Sequence, residues 1–303
     1  MKRLIIAFAA SAVMTTSAMA QTIGVSMASF DDQFLTLLRE AIGARAKEAG
    51  IDIQFEDAQF DIGRQLSQVQ NFVSQKTDAI IVVPADPAAT TRMTRLAAEA
   101  GIPLVYANNK PDEELPEGVV YVGSEEIVAG RLQGEEIARQ LNGKGNVAIM
   151  MGGLGHSATT LRTQGVEEVL AQHPELKIVE KQTANWQRTT AIDLMNNWLV
   201  SGVKMDAVVA NNDEMAIGAI MALLQAGFDP KSLVIAGVDA TRDALAEMER
   251  GNLDITVFQD AKAQGQAAVD SALKLMKGEK VESPVWVPFQ LVTQDNYKEF
   301  TGK

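Results

Sequence analysis

The feature that most constrains the fold of this chain is a regular alternation of short β-rich runs with longer amphipathic segments. Ile23–Met27 is a predicted strand, and a predicted helix over Gln33–Ala49 follows it and ends at Gly50. The apolar run Ala79–Val83 has the length and β-branching of a buried strand. This βαβ rhythm predicts a parallel sheet covered by helices on both faces.

The same rhythm occurs twice along the chain. Asp78-Ala79-Ile80-Ile81 and Asp206-Ala207-Val208-Val209 each begin a unit of strand, loop, helix, Ala-Gly and strand, of similar length. A chain of 303 residues, at roughly 150 residues per domain, also favours two domains. We therefore predict an α/β protein with two Rossmann-like parallel-sheet domains.

The C-terminal segment that begins at Ile255 does not fit a simple division of the chain into two halves. It contains a predicted strand over Ile255–Phe258, a helix over Ala263–Leu275 and an extended segment over Val285–Val292. A unit this small cannot build its own core, so we expect it to complete both sheets and to form a multi-strand hinge. The predicted lobes are 22–123 plus 258–291, and 124–257 plus 292–303.

The first twenty residues have the pattern of a secretory signal peptide. Lys2 and Arg3 precede the apolar stretch Leu4–Val13, and Ala18-Met19-Ala20 is a cleavage signal before Gln21. The alternative is a membrane helix, but the apolar run is shorter than the roughly 20 residues that a span needs. We therefore predict that residues 1–20 are removed and that the chain is a periplasmic protein.

Charge and residue counts exclude several classes of function. Loss of Lys2 and Arg3 with the signal peptide takes the formal charge from −12 to −14, which disfavours nucleic acid as a partner. The chain has no cysteine and only two histidines, His156 and His173. A disulfide scaffold, a cysteine-zinc site and a multi-histidine metal site are therefore excluded, and we expect no cofactor and no metal.

Polar and aromatic residues follow nearly every predicted strand, where an open parallel sheet binds its ligands. These residues are Ser29-Phe30-Asp31-Asp32-Gln33-Phe34, Asn108-Asn109-Lys110, His156 with Arg162, Trp186, Asn211-Asn212-Asp213, Asp239 and Gln259. Carboxylates, amides and arginine can bind adjacent hydroxyl groups in pairs. The C–H faces of a sugar ring are apolar, and Phe34 and Trp186 could pack on two sides of one. The set predicts a site for a polyol.

Each of these residues also has a purely structural interpretation. Asp31 or Asp32 could cap the helix that follows, and so could one residue of Asn211-Asn212-Asp213. Trp186 could be an ordinary half-buried aromatic residue, and Asp239 a turn residue. His156 lies among glycines and could belong to a solvated loop.

No enzyme signature is present, so we do not expect catalytic residues. The chain lacks a phosphate-binding loop and a G-x-S-x-G elbow, and it has no cysteine nucleophile. Gly152-Gly153-Leu154-Gly155 lacks the last glycine of a dinucleotide fingerprint, because Ala158 follows it. The adjacent Asp31-Asp32 pair is not a glycosidase arrangement. A secreted sugar hydrolase nevertheless stays an alternative to test.

Ordered motifs along the chain resemble those of the periplasmic sugar-binding proteins of the ribose and galactose/glucose type. They are Phe30-Asp31-Asp32-Gln33-Phe34, Gly155-His156, Arg162, Thr183-Ala184-Asn185-Trp186, Ala210-Asn211-Asn212-Asp213-Glu214-Met215-Ala216, Gly237-Val238-Asp239-Ala240 and Val257-Phe258-Gln259-Asp260-Ala261. The resemblance implies a type I periplasmic binding fold. It also implies that the cleft is lined by Asp32, Phe34, Asn108, His156, Arg162, Trp186, Asn212, Asp239 and Gln259.

The resemblance further implies the partners of the protein. These are a small sugar or polyol and the membrane permease of an ABC importer, and the binding protein itself is expected to be a monomer. Docking to a chemotaxis receptor is an optional further role that the sequence leaves open. A sugar-responsive transcription regulator shares this core, but a basic helix-turn-helix would then stand where the signal peptide is predicted.

Departures from the family pattern bear on the ligand. Ala28 stands where the galactose/glucose type has a ring-stacking tyrosine, Ala158 where it has a sugar-binding aspartate, and Gln259 replaces an asparagine. The calcium loop is also missing, since Leu141-Asn142-Gly143-Lys144-Gly145 is a short turn.

Other segments are similar to the inositol- and rhizopine-binding members. They are Ile23-Gly24-Val25-Ser26-Met27-Ala28, Glu56-Asp57-Ala58-Gln59, Gly63-Arg64-Gln65-Leu66-Ser67 and Val179-Glu180-Lys181-Gln182-Thr183-Ala184-Asn185-Trp186. The resemblance implies myo-inositol or a related inositol as the ligand, with a galactose- or glucose-type hexose as the alternative.

Overall fold

A computed structural model describes residues 21–302 of the chain. The predicted signal peptide, residues 1–20, lies outside the described residues. Across the described part the strands are β1 (Thr22–Met27), β2 (Asp52–Asp57), β3 (Ala79–Val82), β4 (Leu104–Ala107), β5 (Val119–Gly123), β6 (Lys144–Met151), β7 (Glu175–Thr183), β8 (Ala207–Ala210), β9 (Val234–Ala236), β10 (Ile255–Phe258), β11 (Val285–Trp286) and β12 (Gln290–Thr293).

Helices connect these strands and cover the sheets. They are α1 (Gln33–Ala49), α2 (Ile62–Gln75), α3 (Thr91–Ala100), α4 (Glu126–Gln140), α5 (Ser157–Leu170), α6 (Arg188–Ser201), α7 (Asp213–Gln225), α8 (Arg242–Arg250) and α9 (Ala261–Met276). Local signals set several helix ends. Asp32 caps the start of α1 with its side chain, and Gly50 ends that helix in the left-handed conformation, as its sequence predicted.

The strands form two six-stranded sheets, which confirms the predicted fold class. The strand order is β11-β5-β4-β3-β1-β2 in the first sheet and β12-β10-β9-β8-β6-β7 in the second. Every pairing is parallel except that of β10 with β12. The central strands β3 and β8 are fully buried, as expected for sheets with helices on both faces.

Three connections run between the two sheets. The first runs from β5 to α4, and the second from β10 to α9; the third joins β11 to β12. Helix α4 packs on α5 of the second lobe, and α9 packs on α1 of the first. The exact lobe boundaries stay a prediction. Phe258 belongs to β10 and Gln290-Leu291 to β12, both in the second sheet, so these residues lie with the second lobe rather than the first.

Two parts of the architecture differ from the sequence prediction. The segment Val285–Val292, predicted as one extended run, forms two strands in different sheets. Strand β5 and helix α4 had not been predicted. Helix α4 carries no continuous apolar stripe, because Gly130, Gln133 and Gly134 are among its buried residues. Within residues 21–302 no helix combines the length and apolarity that crossing a membrane requires.

Candidate ligand-binding cleft

A cleft of about 500 Å³, partly open to solvent, lies between the two lobes. All nine sequence-predicted residues line it: Asp32, Phe34, Asn108, His156, Arg162, Trp186, Asn212, Asp239 and Gln259. Seven of them lie in loops that follow the carboxyl ends of strands, where parallel sheets bind ligands, whereas Phe34 and Arg162 lie on α1 and α5.

Arg162 is the central cation of the cleft and is almost completely buried. Its Nε donates to Glu126 Oε2 at 2.6 Å, and its terminal nitrogens donate to the Asn211 carbonyl at 2.7 Å and to Gln259 Oε1 at 3.1 Å. The fork of the guanidinium is therefore fixed before any ligand binds, and Glu126 balances most of its charge.

Asp239 presents a buried carboxylate that the protein leaves largely uncompensated. Its Oδ1 lies 3.8 Å from an Arg162 nitrogen, beyond hydrogen-bond distance. Burial raises the Asp239 pKa well above its usual value, although Arg162 opposes this shift, and the nearby Asp213 carboxylate raises it further. The backbone of Asp239 is held at φ 119°, and its N–H donates to the Val257 carbonyl at 2.8 Å. A ligand hydroxyl would supply the missing hydrogen bond to this carboxylate.

Trp186 and His156 form the aromatic wall of the second lobe. The Trp186 ring covers Gly152 so closely that a Cβ there would collide with it. His156 meets the indole edge to face, with ring centroids 5.7 Å apart and planes at 76°. Arg162 lies 5.9 Å from the indole centroid, within cation–π range.

His156 is a neutral imidazole at neutral pH. Burial lowers its pKa to about 4, and the positive charge of Arg162 contributes to the same shift. Asn109 Nδ2 lies 3.3 Å from His156 Nε2. Because the amide nitrogen can only donate, Nε2 accepts and the ring proton is assigned to Nδ1. Nδ1 is buried and has no hydrogen-bond partner within the described residues.

The first lobe contributes Asp32, Phe34 and Asn108. Asp32 Oδ1 accepts from the Leu35 N–H at 2.8 Å, so it both caps α1 and lines the cleft. Burial raises the pKa of Asp32. Asn108 adopts a left-handed conformation at φ 64°, where its carbonyl accepts from the Tyr121 hydroxyl at 2.7 Å. Asp32 therefore caps the helix and lines the cleft at the same time.

The same is true of Asn212 in the second lobe. Its Oδ1 accepts from the Met215 N–H at 3.0 Å and caps α7, while its Nδ2 donates to the Trp186 carbonyl at 3.3 Å. Gln259 is equally constrained, since its Oε1 accepts from Arg162. Its buried Nε2 has no partner in the part of the chain that the structure describes.

Four further residues line the cleft: Leu35, Phe60, Asn109 and Ala158. Asn109 directly follows Asn108 and belonged to the strand-end set, but it was not among the predicted site residues. Phe60 comes three residues after the end of β2, so the same rule of inspecting strand ends would have found it.

The two lobes are in direct contact across the cleft. Gln33 Nε2 at the start of α1 donates to Asp243 Oδ2 of α8 at 2.9 Å, and Asn109 of the first lobe meets His156 of the second. These hydrogen bonds join the two lobes across the cleft. No group of three or more His, Asp or Glu side chains within residues 21–302 is arranged to hold a metal ion.

Known proteins resemble this chain over almost its whole length. A periplasmic binding protein domain matches residues 23–280. The "Putative rhizopine-binding protein" of Rhizobium meliloti is 53% identical, with 100% of each chain covered. A xylitol-binding protein of Mycolicibacterium smegmatis is 35% identical, covering 93% of this chain and 80% of that protein.

Solved structures agree in fold. An ABC transporter solute-binding protein of Bacillus halodurans with bound myo-inositol is 43% identical, with a TM-score of 0.89, covering 94% of this chain and 99% of that one. The Caulobacter myo-inositol binding protein is 27% identical, with a TM-score of 0.87 and coverage of 92% and 95%. These family members are solute-binding proteins rather than enzymes. With its two α/β lobes and its matched domain, the chain belongs to the periplasmic binding protein family.

Proposed function

We propose that this protein is the periplasmic solute-binding component of an ABC importer and that it binds a cyclitol, myo-inositol or a close relative. The observation that carries the proposal is a pre-oriented Arg162 guanidinium that lies 3.8 Å from the Asp239 carboxylate in the interlobe cleft, where this carboxylate has no hydrogen bond to the described residues. A donor fork beside an acceptor can bind adjacent ring hydroxyls in pairs, as polyol recognition requires.

The surrounding side chains support a ring-shaped ligand. Trp186 and Phe34 offer apolar faces to the C–H groups of a ring, and Asn108 and Asn212 add amide groups that can both donate and accept. A ligand that fills the cleft displaces water from it, which strengthens each of these hydrogen bonds.

Relatives support the choice of a cyclitol over a hexose. Myo-inositol is bound in the structures from Bacillus halodurans and Caulobacter, and the Rhizobium meliloti relative carries rhizopine in its name. Ala28 and Ala158 are small at positions where the galactose/glucose type has contact residues.

A thermal-shift screen followed by titration calorimetry tests this proposal. The panel contains myo-inositol, other cyclitols, D-galactose, D-glucose, D-ribose, L-arabinose and xylitol. We expect myo-inositol or another cyclitol to raise the melting temperature most, because a ligand that binds only the folded state stabilises it. A larger shift with a hexose or pentose would overturn the choice of cyclitol, and turnover of a glycoside would overturn the assignment as a binder.

Export and delivery belong to the same proposal. Cleavage of residues 1–20 would release the chain to the periplasm as a monomer, and the closed form would be recognised by the membrane permease. Fractionation of cells that carry a tagged chain, with N-terminal sequencing of the mature protein, tests this step. Retention of the tagged chain in the cytoplasm would contradict it.

A further inference from the structure

Phe60 is a large apolar side chain at the cleft that the protein leaves half uncovered. It lies in the loop between β2 and α2 of the first lobe, and 53% of its surface is exposed although it lines the cleft. Trp186 lines the same cleft from the opposite lobe. An exposed aromatic ring at a binding site gains free energy when a ligand covers it.

The backbone that carries Phe60 adopts a conformation that side chains disfavour. Gln59 and Phe60 are consecutive residues with left-handed φ angles of 53° and 56°. Neither is a glycine, and a bulky residue in this region is a strained outlier. Such conformations persist only where the surroundings impose them, and they concentrate at functional sites.

Specific hydrogen bonds impose this conformation. The Phe60 N–H donates to the Ala28 carbonyl at 2.7 Å, and the Gln59 N–H donates to Asp57 Oδ1 at 2.9 Å. Arg64 of α2 donates to Gln59 Oε1 at 2.7 Å. The loop is thereby anchored at the carboxyl end of β1, on the backbone of the buried Ala28.

We propose that Phe60 is an aromatic lid that packs on the apolar C–H face of a ring-shaped polyol and makes the cleft select cyclic over acyclic polyols. This inference rests on the proposed function and adds a specificity residue to it. A flat ring packs fully on the planar face of a cyclitol, whereas a flexible open-chain polyol offers no such face and loses conformational freedom on binding.

The test compares Phe60→Ala with Phe228→Ala by calorimetry, using myo-inositol and xylitol as probes. Phe228 is a matched control, because it is 52% exposed but lies after α7, outside the cleft. We expect Phe60→Ala to weaken myo-inositol binding about tenfold to a hundredfold, the effect of leaving an apolar side chain uncovered. Phe60→Tyr keeps the wild-type affinity, since it keeps the ring, and Phe228→Ala leaves binding unchanged.

Selectivity and stability distinguish a lid from a structural role. We expect the preference of the wild type for myo-inositol over xylitol to collapse in Phe60→Ala, while the melting temperature of the ligand-free protein stays unchanged. Wild-type affinity in Phe60→Ala, or an equal loss for both probes, would overturn the lid. If the wild type binds D-galactose and no cyclitol, the proposed function fails, and the Phe60→Ala titration with D-galactose then decides about the lid.

Discussion

At the scale of single residues, the cleft owes its properties to unequal pairing of buried charges. Arg162 uses three of its five N–H donors on Glu126, Asn211 and Gln259, whereas the Asp239 carboxylate has no hydrogen bond within the described residues and only a distant cation. Burial of this carboxylate beside a single distant cation costs free energy in the ligand-free protein, and a bound hydroxyl offsets part of that cost. A substitution that removes the Asp239 charge should therefore weaken ligand binding without lowering the free energy of unfolding.

Replacement of Asp239 by asparagine tests this opposition. We expect Asp239→Asn to weaken polyol binding about tenfold to a hundredfold, the equivalent of about 1.5–3 kcal/mol for a hydrogen bond to a charged group. We expect its free energy of unfolding at pH 7 to equal or exceed that of the wild type. Calorimetry and urea denaturation measure the two effects.

The raised pKa of Asp239 also makes the free energy of unfolding depend on pH. Burial raises the Asp239 pKa in the folded state, so the folded protein binds more protons than the unfolded chain between the ordinary and the raised pKa. Stability therefore falls as pH rises through that window, and Asp239→Asn removes this contribution. Asp254→Asn is the matched control, since burial also raises the Asp254 pKa but the residue lies outside the cleft. Unchanged affinity in Asp239→Asn would remove Asp239 from the site.

His156 gives the opposite pH dependence. Burial lowers its folded-state pKa to about 4, below the ordinary value of 6.5, so the unfolded chain binds its proton first as the medium is acidified. The contribution of His156 is present above pH 6.5 and is lost as pH falls towards 4, by up to about 3 kcal/mol. We expect His156→Gln to flatten this acid loss in urea titrations between pH 4 and pH 7. His173→Gln keeps it, and a wild-type profile in His156→Gln would contradict the assignment.

At the scale of the elements, the site depends on how closely two helices of the second lobe approach. Gly130 of α4 lies against the carbonyl of Arg162 on α5, and a Cβ at this position would collide with that carbonyl. Glu126, at the start of α4, then reaches Arg162 at 2.6 Å. The glycine therefore sets the distance that allows the buried ion pair to form.

A pair of glycine-to-alanine substitutions tests this interpretation. We expect Gly130→Ala to lower the free energy of unfolding by about 1–3 kcal/mol and to weaken polyol binding, because the backbone must move and carries Arg162 with it. Gly43→Ala is the matched control, since its Cβ would meet Phe55 at an ordinary 3.6 Å inside α1. It should stabilise the protein by about 0.5–1 kcal/mol without changing affinity. Equal behaviour of the two variants would refute the close-packing argument.

Comparison of α4 with the other elements shows which parts of the fold could be predicted from sequence patterns. Most strands and helices carry a clear apolar period, and α1 and β10 were predicted to the residue. Helix α4 was missed because it buries glycines and polar groups, such as Gln133, whose Nε2 donates to the Ala210 and Gly237 carbonyls. These groups become favourable only when partners distant in sequence surround them. Phe60 was missed for a different reason, since its loop after β2 was not inspected as a strand end.

At the scale of the whole molecule, we expect the two lobes with their three connections to hinge about the cleft, a motion that the periplasmic binding proteins exemplify. The closed form carries a contact made by neither lobe alone. Arg188 binds Glu214 and Asp243 within the second lobe, and Asp243 accepts from Gln33 of the first. A ligand shifts the equilibrium towards this form only if it binds the closed form better than the open one.

Distances between spin labels on the two lobes test closure directly, and the absence of cysteine in the chain makes introduced cysteines unique labelling sites. We expect the Ile62→Cys/Leu154→Cys pair, which spans the lobes at two exposed positions, to shorten when myo-inositol is added. The Leu154→Cys/Val200→Cys pair lies within the second lobe and stays constant. Gln33→Ala, introduced into the Ile62→Cys/Leu154→Cys protein, should lengthen the distance between the two labels in the absence of ligand. It removes the hydrogen bond from Gln33 to Asp243 that joins the lobes. A distance distribution that saturating myo-inositol leaves unchanged, with binding verified by calorimetry, would mean that the cleft binds without hinging.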